Sequence, residues 1–109
     1  MIGGKVKFHK FMVLFEKESG TKSTYNVSVP ALPGCLTFGE SLTHAEYMIQ
    51  EAMELYLSTL LDDGEAIPAD KKVRVKKGVI VKQMVVAIKQ ELSAGVVDYG
   101  RETAYPAVA

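Results

Sequence analysis

One stretch of helical periodicity stands between segments that have the composition of β-strands. From Leu42 to Leu61, apolar residues recur at three- and four-residue steps, the pattern of an amphipathic helix. A single helix must bury its apolar stripe against another layer, and the flanking segments can form a sheet that provides one. The sequence therefore predicts a two-layer α+β domain. The stripe consists of Leu42, Ala45, Ile49, Ala52, Met53, Tyr56 and Leu60.

Both ends of this helix carry recognisable signals. Ser41 or Thr43 can cap the first turn, and Thr43 with Glu46 has the spacing of a capping box. At the other end Gly64 can adopt the left-handed conformation that ends helices, and Pro68 prevents the helix from resuming. We expect one long helix from Leu42 to about Leu61.

Four segments are rich in β-favouring residues. Residues 5–16, 25–29 and 35–38 precede the helix, and residues 79–88 follow it. The prolines and glycine of the corner 30–34 interrupt the sheet between the second and third strands. The predicted order is β-β-β-α-β, a mainly antiparallel sheet with one long helix packed on one face.

The 109 residues fit a single domain, 1–109, with a core at about 5–92. Residues 93–109 lack a sustained period, and a short strand, a docked tail and disorder all remain open for them. Cys35 is the only cysteine, so no intrachain disulfide can form, which is typical of a reducing compartment. The apolar runs are too short to span a bilayer and the N-terminus lacks a secretory signal, so we expect a cytoplasmic protein.

Charge is balanced in total but separated along the chain. The formal net charge is zero, which argues against a general binder of nucleic acid or anionic membrane. Residues 40–65 contain seven carboxylates and no Lys or Arg, whereas residues 71–89 contain seven basic residues and no acid. The basic stretch Lys71–Lys77 has two interpretations: a solvated connection, or a patch that touches nucleic acid or the acidic helix of a neighbouring subunit.

Several segments together resemble the HicB-like antitoxin family. Four segments follow that family's pattern in the same order. They are the corner Pro30-Ala-Leu-Pro-Gly-Cys35, the helix start Gly39-Glu-Ser-Leu42, the Leu-Tyr-Leu at 55–57 and the segment Asp63-Gly-Glu-Ala-Ile-Pro68. The resemblance spans about residues 11–92. Several independent segments in one order are more specific than a single short motif.

The resemblance implies a partly degenerate ribonuclease-H-like fold without catalysis. Members of that family act as antitoxins to HicA, a small RNA-cleaving toxin, and form dimers or larger oligomers. Many carry a C-terminal helix-turn-helix or ribbon-helix-helix module that binds DNA. Only 17 residues follow Leu92 here, and they include Gly95, Gly100 and Pro106. DNA binding is therefore not expected of this chain alone.

The sequence predicts no catalytic residue, cofactor or metal. A ribonuclease-H site needs several carboxylates that converge on metal ions, but the predicted strands lack an internal acid, and Glu16 and Glu18 lie at the outer end of the first strand. Cys35 has no sequence-local base and is expected to be a small buried residue. His9 and His44 do not have the spacing of metal ligands.

Two sets of residues are candidates for protein contacts. The helix face opposite the apolar stripe is either solvated or a surface for a basic partner, with Tyr47, Glu51 and Glu54 as contact residues. Met48 and Leu55 widen the apolar stripe, and residues 79–88 need a paired place in the sheet or would invite subunit pairing. The candidate residues for self-association are Met48, Leu55, Val79 and Val81.

Three functions follow from these observations. The first is a non-catalytic antitoxin that neutralises a HicA-like toxin by protein–protein contact. The second is a stand-alone domain that associates with itself as a dimer or tetramer. The third is a degenerate nuclease with residual metal-dependent activity.

Overall fold

The computed structural model describes residues 4–91 and the side chains of residues 6–89. The three alternatives for residues 93–109 lie outside the described residues. The predicted order β-β-β-α-β is confirmed, and the bounds of each element agree with the prediction to within three residues. The elements are β1 (Gly4–Lys17), β2 (Tyr25–Ser28), β3 (Leu36–Gly39), α1 (Leu42–Asp62) and β4 (Ile80–Glu91).

The four strands form one antiparallel sheet in the order β3-β2-β1-β4. β4 pairs with β1 along its whole length, from Gly4 opposite Glu91 to Phe15 opposite Ile80. Along β1, only the last four residues, Leu14 to Lys17, pair with β2. The first half of β1 and the second half of β4 therefore extend beyond β2 and β3 as a two-stranded ribbon.

The core lies between α1 and one face of the sheet. Phe11, Val13 and Phe15 of β1 and Val86 and Ile88 of β4 are buried on that face. Residues that alternate with them point to the opposite side, which we call the open face of the sheet. The buried residues of α1 follow four-residue steps and are Ala45, Ile49, Met53 and Leu57.

The buried row of α1 corrects the predicted stripe. Leu57 was absent from the prediction but is fully buried, whereas Leu42, Ala52, Tyr56 and Leu60 are only half-buried at the sides of the row. Residues four apart lie nearly above one another along a helix, so Leu57 continues the row of Ala45, Ile49 and Met53 onto the sheet. The predicted stripe was broad enough to identify the helix but was not centred on the contact.

The first turn of α1 also differs from the prediction. Ser41 is the N-cap residue, and its Oγ accepts a hydrogen bond from the His44 amide at 3.0 Å. The Glu40 amide donates to His44 Nδ1 at 3.0 Å, so the side chain at the N3 position accepts from the residue before the N-cap, whereas in a capping box Glu or Gln at N3 accepts from the N-cap amide itself. The predicted capping box of Thr43 with Glu46 was wrong, because Ser41 is the N-cap residue and Glu46 forms an ion pair with Lys82 of β4.

The last turn of α1 ends as the sequence predicted. Gly64 has φ of +73°, its amide bonds to the Leu61 carbonyl at 3.0 Å, and the Glu65 amide bonds to the Leu60 carbonyl at 2.8 Å. This pair of bonds is a Schellman motif, which satisfies two of the last carbonyl groups of the helix.

The connection from α1 to β4 crosses the open face. Lys76 Nζ lies 3.4 Å from Glu16 Oε2 on that face. Asp70 anchors the same connection, because its Oδ1 accepts from the Met12 amide at 2.9 Å and its Oδ2 from Gln83 Nε2 at 2.8 Å. Lys71–Lys77 keeps its basic side chains exposed, while Val73 and Val75 are half-buried.

Asp70 should contribute pH-dependent stability. Burial alone would raise the pKa of this carboxyl, but the Met12 amide, the Gln83 side chain, the Lys71 amide and the charge of Lys72 together lower the pKa below its ordinary value. The stabilisation is therefore present above the ordinary carboxyl pKa of about 4 and is lost as the pH falls below it.

We expect Asp70→Ala to lower the free energy of unfolding by about 1–2 kcal/mol at pH 7, since it removes two anchoring acceptors. Urea unfolding of wild type and variant from pH 7 to pH 3 should show the difference shrinking below about pH 4. Glu65→Ala is the control, because the Glu65 side chain is exposed and has no hydrogen bond or ion pair within residues 6–89. An equal effect at pH 7 and pH 3 would contradict the assignment.

Candidate functional site

A strip of polar side chains runs along α1 outside its buried row. Tyr47 is 59% exposed and its hydroxyl donates to Glu51 Oε2 at 2.9 Å. This hydrogen bond and the negative charge of Glu51 raise the pKa of Tyr47. Glu51 and Glu54 are exposed. We call Tyr47, Gln50, Glu51 and Glu54 the acidic strip, since steps of three and four place them side by side on the helix.

Gln50 connects the acidic strip to the edge of the sheet. Its Nε2 donates to the backbone carbonyl of Val85 at 3.0 Å and lies 3.5 Å from Glu54 Oε2. The strip therefore lies beside β4, and the Glu54 carboxylate is near the backbone of that strand. The sequence did not predict this contact, because nothing in a local pattern shows which strand a helix overhangs.

The bond to Val85 also shows how the backbone of β4 is oriented. A strand residue directs its N–H and C=O to the same side, so both groups of Val85 point away from β1, as do those of every second residue along β4. No strand within residues 4–91 pairs with this side, which we call the outer edge of β4. The outward residues are Val81, Gln83, Val85, Ala87 and Lys89.

The negative charge of the acidic strip is not neutralised by basic side chains of the described part of the chain. Glu46, one turn earlier on α1, forms an ion pair with Lys82 of β4. Glu51 and Glu54 have no such partner within residues 6–89, where the other ion pair joins Lys76 to Glu16 on the opposite side of the sheet. The acidic helix layer and the basic connection thus lie on opposite sides of the molecule.

The open face of the sheet exposes large apolar side chains. Phe8 is 72% exposed and Val6 57%, and both lie on the ribbon beside exposed Val85 and Ala87 of β4. Leu36 and Phe38 are exposed on the same face at β3. A signal for this existed in the sequence: residues 11–15 are apolar at both odd and even positions, so both faces of β1 carry apolar groups.

The four residues predicted for self-association occupy two separate surfaces. Leu55 is 70% exposed and lines a shallow groove of about 320 Å³ between α1 and the corner at Gly34–Leu36. Met48 is half-buried on the same helix. Val81 is 44% exposed opposite Leu14 on the open face, and Val79 is half-buried nearby. The sheet separates these pairs, so they do not form one contact surface.

The residues weighed for catalysis or metal binding are dispersed. Glu16 forms an ion pair with Lys76, Glu18 accepts from Asn26, and His44 caps the helix. Cys35 is buried, as predicted, and burial raises the pKa of its thiol. Within the described residues no three His, Cys, Asp or Glu side chains are grouped so that they could hold a metal ion. His9 stacks on Phe11, at 6.5 Å between ring centroids.

This β-β-β-α-β arrangement has known relatives. A sequence profile described as "HicB_like antitoxin of bacterial toxin-antitoxin system" matches residues 11–90. The chain belongs to this family. The match covers β2, β3 and α1 in full, residues 11–17 of β1 and residues 80–90 of β4. It confirms the HicB-like resemblance inferred from the corner, the helix start and the helix exit.

Individual HicB-like relatives extend this result. A UPF0150 protein of Archaeoglobus fulgidus is 41% identical over 71 residues, which are 63% of this chain and 99% of that protein. A UPF0150 protein of Thermoplasma acidophilum is 39% identical over 61 residues, 56% of this chain and 86% of that protein. The matched regions thus cover most of the length of both relatives.

A solved structure shows the same fold. The N-terminal domain of the Burkholderia pseudomallei antitoxin HicB superposes with a TM-score of 0.55 at 24% identity, covering 69% of this chain and 94% of that domain. The four-stranded antiparallel sheet with one helix is therefore the fold of that domain. Within residues 4–91, no helix is both long and apolar enough to cross a membrane.

Proposed function

We propose that this HicB-like protein is a non-catalytic antitoxin that neutralises a small, basic, HicA-type RNA-cleaving toxin by direct contact with the acidic strip. A protein that holds RNA must present positive charge to phosphate groups. Covering that positive surface with carboxylates blocks the RNA from binding. The observation that carries the proposal is that Glu51 and Glu54 are exposed and without basic partners in the described chain.

The geometry of the strip supports this role. The hydrogen bond of Tyr47 to Glu51 favours one orientation of the exposed ring before a partner binds. Ordered tyrosines contribute strongly to protein interfaces because little side-chain entropy is lost on binding. The carboxylates next to it supply charge complementarity, which accelerates association and selects basic partners.

The test is calorimetry with a basic toxin-like protein encoded beside this gene, carrying a substitution that abolishes its cleavage activity. We expect the double variant Glu51→Lys and Glu54→Lys to bind about 100-fold more weakly than wild type, because like charges then face each other. Wild-type affinity should fall as salt is raised.

The matched control is Glu40→Lys with Glu65→Lys, which makes the same change in net charge at exposed positions outside the strip. This control should bind within a few-fold of wild type. Absence of wild-type binding at micromolar concentrations would count against the proposal, as would equal losses in both double variants.

A second candidate function is self-association through the open face, with no toxin partner. The observation that favours it is the exposure of Phe8, Val6, Val81 and Val85 on one face. Exposed apolar side chains grouped on one face, as Val6, Phe8 and Val85 are, commonly mark protein contacts. A dimer or tetramer would cover them, and Val79 lies at the margin of the same surface.

Light scattering over a concentration series tests this candidate. We expect Phe8→Ser to shift an oligomer to monomer without loss of stability, since the side chain is 72% exposed. Leu55→Ser is the control for the groove on the helix side. If only the Leu55 variant dissociates, the contact lies at Leu55 and Met48 instead of the open face.

A further inference from the structure

The outer edge of β4 combines three properties in one place. Its outward N–H and C=O groups have no strand partner within residues 4–91. The strand is long, at 12 residues, and contains no proline. Gln50 and Glu54 of the acidic strip lie over it, as the bonds of Gln50 to Val85 and Glu54 show.

We propose that the outer edge of β4 receives an edge strand of the basic partner, which extends the sheet of this protein by one strand. This inference rests on the proposed function, because it assigns how the same partner is held. Main-chain hydrogen bonds along β4 would supply affinity, and the acidic strip above them would select a strand that carries Lys or Arg.

The edge lacks most of the features by which proteins block unwanted strand pairing. Bulges, prolines and charged side chains are the usual devices. Within residues 80–89 the charged side chains of β4 are Lys82, which is paired with Glu46 on the helix side, and Lys89, which lies near the end of the strand. Val81, Val85 and Ala87 instead present apolar side chains on the open face, where an added strand could pack.

Gln50 acts as a replaceable cover at the middle of this edge. In the free protein its amide satisfies the Val85 carbonyl, which would otherwise have no hydrogen-bond partner in the described chain. An incoming strand can donate its own N–H to that carbonyl. The Gln50 amide is then released to the neighbouring Glu54 or to the partner, so no polar group is left unsatisfied.

The charges favour a basic partner over a second copy of this chain. Two copies paired antiparallel through β4 have their two-fold axis perpendicular to the sheet, which places both α1 helices on the same face of the joined sheet. Their acidic strips would then approach each other, with Glu51 and Glu54 unneutralised on both sides. A basic strand meets the same carboxylates with opposite charge.

Amide hydrogen exchange of the full-length protein, alone and with the cleavage-inactive basic partner, tests the inference. The amides of Gln83, Val85 and Ala87 point outward and should exchange rapidly in the free protein. We expect binding to slow their exchange at least about tenfold, while the inward amides of Met84 and Val86 are protected in both states.

A proline variant provides the second measurement. Ala87→Pro removes one outward N–H and places a ring at the edge while leaving the bonds to β1 in place, since edge strands tolerate proline at such positions. It should weaken binding about tenfold or more. Ala87→Ser, which keeps the N–H, should bind like wild type, and protected inward amides in both variants confirm folding.

The outcomes separate the two proposals. If wild type does not bind the basic partner, the proposed function fails and the inference falls with it. If wild type binds while the outward amides exchange as before, or Ala87→Pro binds as tightly as Ala87→Ser, only the inference is overturned. Slow exchange of the outward amides in the protein alone would overturn the choice of partner. If this protection increases with protein concentration, the edge pairs with a second copy of the chain. If it does not depend on concentration, the edge is covered by residues 93–109.

Discussion

Leu57→Ala is expected to lower the free energy of unfolding by about 2–5 kcal/mol, whereas Leu55→Ala, two positions earlier on the same helix, should change it by less than about 0.5 kcal/mol. Leu57 is fully buried and continues the row that packs on the sheet. Its truncation removes apolar contacts and leaves a cavity. Leu55 is 70% exposed and loses little that water does not already contact.

Chemical denaturation followed by circular dichroism measures both values. The two variants remove the same atoms from the same helix, so helix propensity and side-chain chemistry cancel in the comparison. The predicted apolar stripe omitted Leu57, so the experiment also tests the position of the helix on the sheet. Similar losses of stability in the two variants would show that α1 is rotated about its axis, away from the orientation that buries Leu57 and exposes Leu55.

Gly39→Ala is expected to destabilise the fold by about 3 kcal/mol or more. A Cβ atom at Gly39 would lie 2.8 Å from the carbonyl carbon of His44 and closer still to the backbone N and Cα of Ala45. These are backbone atoms in the first turns of α1, and they cannot move aside as a flexible side chain can. The helix start would have to separate from the end of β3.

Gly34→Ala is the comparison for this effect. Gly34 has φ of +85° and open space around the position of an added Cβ, so alanine there meets only conformational strain. That strain costs about 1–2 kcal/mol. Thermal or urea unfolding should therefore rank Gly39→Ala as the more damaging variant. The reverse order would mean that the β3–α1 contact is looser than the structure shows.

The residues near each element end explain why the secondary structure could be predicted. Ser41 and Gly64 act through hydrogen bonds to residues a few positions away, and the prolines around Gly34 act by removing backbone donors. Both effects are local enough to be recognised in a sequence. The same holds for the helix period from Leu42 to Leu61. The hydrogen bond that His44 accepts in the first turn was missed, because histidine rarely takes that role and Glu46 offered the usual residue type.

The candidate contacts divide in the same way. Tyr47, Glu51 and Glu54 share one exposed face, which follows from helix geometry alone. The separation of Leu55 from Val81 does not follow from helix geometry, because it depends on which face of the sheet the helix covers. Nor could the link from Gln50 to Val85 be predicted, since 35 positions separate the two residues.

Local physics thus accounts for the strands, the helix, its ends and the acidic surface, because periodicity, caps and turn residues act over a few positions. The packing of α1 against the sheet decided the rest. It buried Leu57 instead of Leu55. It also placed the acidic strip and the basic connection on opposite sides of the sheet, and it left the outer edge of β4 beneath Gln50. Those outcomes depend on contacts between distant segments, and such contacts exist only once the strands have paired and the helix has docked.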